Sequence, residues 1–447
     1  MIVSESRFLA LLFAELEKQE ILYAVLRNSD TLPESLGGSD LDLLVENRKQ
    51  AEQLLVVAQN AALSCGGKLV CRYVTGALVA CFLGKGRYGW WGCHIDVFIG
   101  LHYYGRVFAD AHDLLSRRVK MKDSFYCLGD ETDVVSFVKE ILYNGKTRKD
   151  YYPRAQAVYR TKPLIVESAF KDSLSEGYSI LTKLLSESVD SDQLKAASVR
   201  MAKMLCRKHP LKGAWSWTLR WCRLFLRPGF CVAFLGTDGS GKSTLIENVK
   251  PPLEQMLHGK VHYEHLRPNL LPSLARLAGN PRKAGPTTDP HGGRQAGWIM
   301  SIIRFAYYYV DYTLGFWIKI YPILIKRPSL VFFDRYYYEY MLDQRRCAVR
   351  LFPGFARFFS WFIPKPDLIL CLGGSPEKIF ARKPETTLEE VGRQVMKLRR
   401  FCSGNKRGVW IDTTVGIENS RDRALGSIVK AMAGRYKNEG FYHCICM

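Results

Sequence analysis

The chain is 447 residues long, 47% hydrophobic and 24% charged, with a formal net charge of +21 at pH 7. This length predicts two or three domains with ample core, and the charge predicts acidic partners: phosphorylated substrates, nucleic acid or an anionic membrane surface. The 13 cysteines include no C-x-x-C pair, which disfavours a disulfide framework or a zinc site. The first 20 residues have apolar positions at helical spacing and lack the basic region and cleavage site of a secretory signal. These features together predict a cytoplasmic protein.

Residues 1–150 carry three acids inside apolar strands. After a predicted helix and a strand over 21–27, Asp40 and Asp42 alternate with apolar residues, so a strand would place both carboxylates on one face. Asp96 is a single acid in a second apolar stretch, 94–98. Three such carboxylates supply the oxygen ligands that a divalent metal prefers, and the phosphates of a nucleotide could bind with that metal.

This D-h-D strand followed by an h-D-h strand resembles the nucleotidyltransferase superfamily that includes polymerase beta and the small antibiotic-modifying nucleotidyltransferases. The resemblance implies an α+β domain in which Asp40, Asp42 and Asp96 bind metal. The superfamily's spaced Gly-Ser pair is missing: Gly38-Ser39 abuts Asp40, and the upstream position holds 27–29, Arg-Asn-Ser. Two interpretations follow, a domain that transfers nucleotidyl groups and a degenerate domain that only recognises its ligand.

Residues 151–227 are predicted to form a helical, basic linker region. Between Lys195 and Arg227 there is no acid, while arginines and lysines accumulate beside Trp215, Trp217 and Trp221. Basic amphipathic character is compatible with docking on a neighbouring domain, with peripheral contact to an anionic membrane and with nucleic acid, which we favour least.

Residues 228–447 alternate strands and helices, the pattern of a parallel sheet covered on both faces. An apolar strand from residue 230 leads into GTDGSGKST, which meets the G-x-x-x-x-G-K-[ST] pattern of a phosphate-binding loop. Backbone N–H groups cradle phosphates in such a loop, the lysine reaches the terminal phosphates, and the hydroxyl ligates magnesium. The predicted nucleotide-binding residues are Gly236, Asp238, Gly239, Ser240, Gly241, Lys242, Ser243 and Thr244, with Ser243 also a metal ligand.

Two later segments supply candidate acceptor residues. A predicted strand over 260–266 delivers Arg267 at its end. A predicted helix over 298–321 carries Arg304, Tyr308 and Asp311 on one face, which would either line an acceptor pocket or form a solvated stripe. The helix is aromatic enough to suggest a membrane span, but the charges within it favour a core helix.

The apolar run 329–333 predicts a buried parallel strand that ends in Asp334, Arg335 and Tyr336. Ligands bind at the carboxyl ends of the strands in such sheets. There Asp334 can hold magnesium, and Arg335 can hold a transferring or accepting phosphate. Tyr336, directly after them, is a further candidate for contact with the acceptor substrate.

The phosphate-binding loop, the Asp-Arg-Tyr sequence, the strand opening at 366–368 and the last strand at 409–412 together resemble thymidylate kinase, within the P-loop nucleoside monophosphate kinases. The resemblance covers nearly all of residues 229–435. It implies ATP and Mg²⁺, an Asp238 that approaches the sugar of the acceptor, acceptor-phosphate contacts from Arg267 and Arg304, a lid arginine at Arg382, and a dimer.

At the positions where thymidylate kinases recognise the acceptor substrate, this sequence differs from the family pattern. Its R-E-P-G-G-T stretch is replaced by His-Leu-Arg-Pro-Asn at 265–269, and the lid around 381–385 is short. The fuller pattern, HLRPNLLP, FFDRYYYEYMLDQRR and ARKPE after a nucleotidyltransferase-like domain, resembles thymidylate-kinase-like fusion proteins of bacterial surface-polysaccharide loci. This suggests a glycan or nucleotide-sugar acceptor as an alternative to the nucleoside monophosphate of the family.

The sequence therefore predicts an α/β P-loop kinase-like domain at 228–447, preceded by the α+β domain at 1–150 and the linker at 151–227. The predicted function is ATP-dependent phosphotransfer in which Lys242, Asp334, Arg335 and Arg382 act in catalysis. The alternatives are a bifunctional enzyme that also transfers nucleotidyl groups and an ATP-binding regulatory module at the inner face of the membrane.

Overall fold

The computed structural model describes residues 4–74, 77–103, 106–145, 151–206, 227–272, 274, 297–352 and 354–438. The described residues fall into two compact units, the first with those up to 206 and the second with those from 227 to 435. The helices between 151 and 206 belong to the first unit.

The first unit is built on a seven-stranded mixed sheet in the order β3-β4-β5-β2-β1-β9-β8. Strands β2 and β5 are parallel neighbours, and their register places Asp42 beside Asp96. The strands are β1 (Tyr23–Val25), β2 (Leu41–Val45), β3 (Gly67–Val74), β4 (Leu78–Gly86), β5 (Gly89–Ile99), β8 (Val119–Met121) and β9 (Phe125–Cys127), and β6 (Leu101–Tyr103) and β7 (Arg106–Ala109) form a separate hairpin.

Helices cover this sheet on both faces, because alternate residues along a strand point to opposite sides. Leu43 packs with Leu12 and Leu54 in one core, whereas Leu44 packs with Val135 in the other. The helical region predicted to begin at 151 is broken at Ser175, whose φ is +51°. The helices are α1 (Ser4–Lys18), α2 (Arg48–Ser64), α3 (Ala111–Ser116), α4 (Glu131–Asn144), α5 (Tyr151–Thr161), α6 (Pro163–Leu174), α7 (Gly177–Ser186) and α8 (Ser191–Cys206).

The second unit contains a five-stranded sheet in the order β11-β12-β10-β13-β14, in which every neighbouring pair is parallel. The predicted parallel sheet is thereby confirmed. Its strands are β10 (Phe230–Gly236), β11 (Val261–His265), β12 (Leu330–Asp334), β13 (Leu368–Gly373) and β14 (Gly408–Asp412). The central strand β10 is buried at every residue, and it carries the phosphate-binding loop at its carboxyl end.

The helix predicted over 298–321 continues to Lys326 and changes its hydrogen-bonding pattern on the way. It is α-helical over Trp298–Val310 (α10), π-helical over Asp311–Ile320, and α-helical again over Tyr321–Lys326 (α11). The remaining helices of this unit are α9 (Lys242–Leu257), α12 (Glu339–Leu342), α13 (Phe355–Phe359), α14 (Pro376–Arg382), α15 (Leu388–Ser403) and α16 (Ile417–Asn438).

Among the described residues, no helix combines the length and the apolar character that crossing a bilayer requires. The basic segment 195–227, for which membrane contact is one of three interpretations, is described only over 195–206, within α8, and at Arg227. Its tryptophans lie outside the described residues.

Candidate phosphate-binding and acceptor site

The phosphate-binding loop joins the end of β10 to the start of α9. Gly241 precedes the helix with φ of +79°, a conformation that favours glycine. A Cβ atom on Gly236 would lie 2.4 Å from Ser240 Oγ and 2.9 Å from the carbonyl oxygen of Leu372. Gly236 therefore has no room for a side chain, whereas the preference for glycine at Gly241 comes from its backbone conformation, since the nearest atom to a Cβ there would be Arg382 Nη1 at 3.8 Å.

Lys242 is held inside this loop. Its Nζ donates hydrogen bonds of 2.9 Å to the carbonyl oxygens of Gly236 and Thr237. Burial and, to a smaller extent, the charge of Arg335 lower the pKa of Lys242 to about 7, against the opposing effects of Asp238 and Asp334. The amine is thus positioned at the loop and close to its titration point at neutral pH.

Asp334 ends β12, directly beside Phe234 of the central strand. Its Oδ2 accepts a 3.0 Å hydrogen bond from the hydroxyl of Tyr263 on β11. Its Oδ1 is buried and has no hydrogen-bond partner among the described residues. A buried carboxylate oxygen without a donor fits a magnesium ligand, and the side chain of Ser243 is exposed in the first turn of α9.

Arg335 turns away from the strand with φ of +73°, which is rare for a residue with a side chain. Its backbone N–H donates to the carbonyl oxygen of Phe234 at 2.9 Å. Its guanidinium donates to Asp238 at 2.7 Å and to Glu339 at 3.2 Å. A strained conformation that carries a buried guanidinium to the loop is typical of a functional residue.

Asp238 lies between two guanidinium groups. Arg335 donates to its Oδ1 and Arg346 to its Oδ2. Burial would raise the pKa of Asp238, but Arg335 and Arg346 lower it to about 2. Asp238 is therefore ionised throughout the neutral range. Sequence analysis did not predict a role for Arg346. The one local feature that could have pointed to it is the pair of arginines that ends FFDRYYYEYMLDQRR.

The predicted acceptor residues form a second cluster in the same unit. Arg267 Nη1 donates to Asp311 Oδ2 at 2.5 Å, and Asp311 Oδ1 accepts from the backbone N–H groups of Leu270 and Leu271. Asp311 is fully buried, so the predicted polar face is not a solvated stripe at this position. The guanidinium carbons of Arg267 and Arg304 lie 4.7 and 5.9 Å from the ring centre of Tyr308.

The structure does not bring Tyr336 to these side chains. Its ring is completely buried, and its hydroxyl donates to the carbonyl oxygen of Pro364 at 2.5 Å. Tyr336 follows Arg335 directly, but the turn after β12 sends the two side chains in different directions. Tyr336 belongs to the hydrophobic core of the unit rather than to an acceptor surface.

Arg382 lies at the end of α14, where its Nη2 donates to the carbonyl oxygen of Thr413 at 2.9 Å. A cavity of about 200 Å³ opens beside it and beside the first turn of α9. Its lining includes Gly241, Thr244, Arg382, Thr413, Ile417 and Ser420. Arg382 and the exposed Thr244 therefore share one cavity with the edge of the phosphate-binding loop.

The three acids of the first unit also meet. One carboxylate oxygen from each of Asp40, Asp42 and Asp96 lies within 4.8 Å of the others. Asp42 is fully buried, and its Oδ1 has no hydrogen-bond partner among the described residues. Burial raises the pKa of Asp42, against the charges of Lys139 and Arg27. This set of oxygens fits a divalent metal.

Two cations that sequence analysis did not select already approach this acid cluster. Arg27 Nε donates to Asp42, and its Nη2 lies 3.4 Å from Asp40. Lys139 Nζ lies 3.8 Å from Asp42 Oδ2, and burial lowers the pKa of Lys139. A metal entering the cluster would compete with both of these protein charges.

Comparison with known proteins identifies no family. No protein-family model matches the chain, and no curated protein sequence matches it. Among solved structures, thymidylate kinase from Ehrlichia chaffeensis is similar over 44% of this chain and 96% of that chain, with 16% identity and a TM-score of 0.30. That similarity is too weak to assign an activity. The parallel sheet with its phosphate-binding loop is itself consistent with a P-loop kinase-like fold.

Proposed function

We propose that the chain is an ATP-dependent phosphotransferase whose active site lies in the second unit. One observation supports this proposal most directly: three groups meet at the phosphate-binding loop. They are the amine of Lys242, the carboxylate oxygen of Asp334 that has no partner among the described residues, and the buried guanidinium of Arg335. Phosphoryl transfer needs mainly positioning and compensation of negative charge, and these groups supply both.

In this proposal the backbone of residues 236–244 cradles the phosphates of ATP, and Lys242 exchanges its two carbonyl partners for phosphate oxygens. Ser243 and Asp334 would hold Mg²⁺, which neutralises phosphate charge when bound. Arg335 and Arg382 stabilise the charge of the transferring group. The bond between the γ-phosphorus and its bridging oxygen breaks, an acceptor oxygen bonds to that phosphorus, and ADP leaves with the electron pair.

We propose a phosphorylated acceptor, either a nucleoside monophosphate or a glycan- or nucleotide-sugar-related compound. Arg267 and Arg304 beside Tyr308 supply the cations for its phosphate, and Asp238 supplies an ionised acceptor for a sugar hydroxyl. The His-Leu-Arg-Pro-Asn sequence at 265–269 favours the sugar-related class, because it departs from the thymidylate kinase pattern where that family reads its acceptor.

The test measures ADP formation with magnesium across thymidine monophosphate, other nucleoside monophosphates and sugar phosphates, for the wild type and for Lys242→Ala. We expect an acceptor-stimulated rate that Lys242→Ala abolishes. Stimulation by thymidine monophosphate alone would identify a nucleotide kinase, whereas stimulation by a sugar phosphate alone would place the protein in glycan metabolism. The absence of acceptor-stimulated turnover together with tight ATP binding would favour the regulatory module instead.

A second candidate activity, nucleotidyl transfer, is favoured by the approach of Asp40, Asp42 and Asp96 in the first unit. Its test is pyrophosphate release from nucleoside triphosphates by the wild type and by Asp42→Asn, with Asp172→Asn on the exposed surface of α6 as the control. Release that Asp42→Asn abolishes and Lys242→Ala leaves unchanged, together with phosphotransfer that depends on Lys242, would establish a bifunctional enzyme. In either case we propose a cytoplasmic protein, and the alternative interpretation of 195–227 adds peripheral contact at the inner face of the membrane.

A further inference from the structure

Residues 344–366 of the second unit contain five basic residues and six aromatic residues, and no acid. The flanking acids are Asp343 and Asp367. The segment includes the helix α13, Phe355–Phe359. It is distinct from the basic segment 195–227 considered above.

The aromatic residues of this segment divide into an inner and an outer set. Phe355 and Phe359 point inward and pack on Phe305 of α10, with ring centres 5.2 and 5.7 Å apart. Two tyrosine hydroxyls fasten the helix to the unit: Tyr337 donates to the carbonyl oxygen of Ala356 at 2.8 Å, and Tyr309 donates to that of Phe359 at 3.4 Å. The inner set is therefore a fixed support.

The outer set is exposed to solvent. Phe352, Phe358, Trp361 and Phe362 are 64%, 65%, 82% and 65% exposed, and we name these four residues the aromatic patch. The rings of Phe358 and Phe362 lie 6.4 Å apart. Four large aromatic side chains exposed within eleven residues mark an interaction surface, because single exposed apolar residues are common but clusters are rare.

Two partners could cover this patch, a second copy of the chain or a lipid bilayer, and the charge of the segment favours the bilayer. Arg350, Arg357 and Lys365 are exposed in the same segment as the patch, and the segment itself contains no carboxylate to balance them. In a two-fold dimer each residue of the patch faces the same patch of the second copy, so these cations would confront one another. Anionic lipid headgroups provide the opposite charge. Tryptophan is favoured at the boundary between headgroups and acyl chains, and phenylalanine is among the apolar residues that enter this region.

We propose that this segment docks on an anionic lipid bilayer. The aromatic patch enters the interfacial region of the membrane, while Arg350, Arg357 and Lys365 contact the headgroups. The fixed support of Phe355 and Phe359 presents the patch without further ordering of the chain. This inference is independent of the proposed phosphotransfer, since it uses none of the side chains assigned to that reaction.

The experiment is flotation of the full chain with vesicles of phosphatidylcholine alone and of phosphatidylcholine with 30% phosphatidylglycerol. The wild type should float with the anionic vesicles at low salt and remain unbound with the neutral ones. Trp361→Ser combined with Phe362→Ser should reduce binding at least tenfold. Trp317→Ser, which removes another half-exposed tryptophan of the same unit, should leave binding unchanged. Removal of a headgroup contact by Arg357→Gln should weaken binding about fivefold, whereas Lys250→Gln in α9, outside this segment, should not.

Three results would overturn the proposal. The first is a wild-type protein that does not bind anionic vesicles. The second is binding that is unaffected by the double substitution or equally reduced by Trp317→Ser, since contact would then lie elsewhere. The third is a concentration-dependent dimer in light scattering that the double substitution abolishes while vesicle binding is absent, which would identify a second copy of the chain as the occupant.

Discussion

Arg346 donates a hydrogen bond to the Oδ2 atom of Asp238, a residue 108 positions earlier in the chain. Arg335 holds the other oxygen of the same carboxylate. Asp238 is thereby fixed in orientation and kept ionised, which is what a residue needs in order to accept a hydrogen bond from a sugar hydroxyl. In this arrangement Arg346 is a positioning residue that acts through Asp238.

Arg346→Ala should lower kcat/KM for the acceptor by about tenfold or more, because it removes a charge-assisted hydrogen bond of the kind worth about 1.5–3 kcal/mol. Steady-state kinetics with the acceptor varied at saturating ATP measures this change. The neighbouring Arg345 is exposed, so Arg345→Ala should keep the wild-type value.

A purely structural role of Arg346 would give a different pattern. The substitution would then lower the melting temperature and affect the KM for ATP and for the acceptor alike. Partial rescue of the acceptor kcat/KM by Arg346→Lys, without a change in the KM for ATP, would support the positioning role.

Binding of ATP should take up protons above neutral pH. The nucleotide-free protein holds Lys242 at a pKa of about 7, whereas triphosphate favours the charged amine, so about one proton should be bound with ATP at pH 8. Calorimetry in buffers of different ionisation enthalpy measures this uptake. Lys242→Met should remove it and Lys250→Met, on the outer part of the same helix, should not. A binding enthalpy that is independent of the buffer at pH 8 would contradict the assignment.

The same pKa affects the stability of the nucleotide-free protein. Between pH 7 and the ordinary lysine value of 10.5, the unfolded chain binds a proton that the folded chain does not. The contribution of Lys242 to the free energy of unfolding therefore rises with pH across this range. Denaturant unfolding at several pH values measures this effect. The free energy of unfolding of the wild type should rise relative to that of Lys242→Met as the pH increases from 7 to 10.5.

Arg27→Met should destabilise the first unit by about 3 kcal/mol, because it breaks a buried ion pair. Of the residues that the structure describes, the buried carboxylate of Asp42 would then keep only Lys139 as a nearby positive charge. Thermal or denaturant unfolding measures the loss. Arg48→Met removes an exposed arginine paired with Glu52, and this control should change the free energy of unfolding by less than about 0.5 kcal/mol. Millimolar magnesium should restore part of the stability of Arg27→Met if the acid cluster takes up the metal. A loss of less than about 1 kcal/mol would show that the pair with Arg27 is not what compensates Asp42.

The features that sequence analysis predicted well are local in the chain. The phosphate-binding loop is set by glycines and a lysine within nine residues, and the strands around it are continuous apolar runs. The alternation of Asp40 and Asp42 with apolar residues likewise predicted a strand, and their approach to Asp96 followed once β2 and β5 paired. A period of two and a tight turn can be recognised without knowing the rest of the fold.

The features that sequence analysis missed depend on distant segments. Arg346 lies in an irregular stretch, and nothing in its local sequence indicates that it reaches Asp238. Arg27 and Lys139 were missed for the same reason, since each approaches the acid cluster from a different element. Tyr336 shows the opposite error: its place beside Arg335 suggested a shared site, but the positive φ of Arg335 separates the two side chains.

The most direct test of the proposed phosphotransfer follows the γ-phosphate of labelled ATP in the presence of magnesium and the acceptors that stimulate turnover. We expect the label to move into the acceptor with one ADP formed for each phosphate transferred, at a rate that Lys242→Met reduces at least a hundredfold and Lys250→Met leaves unchanged. Unchanged transfer by Lys242→Met, or a label that is never found in any acceptor, would contradict the account.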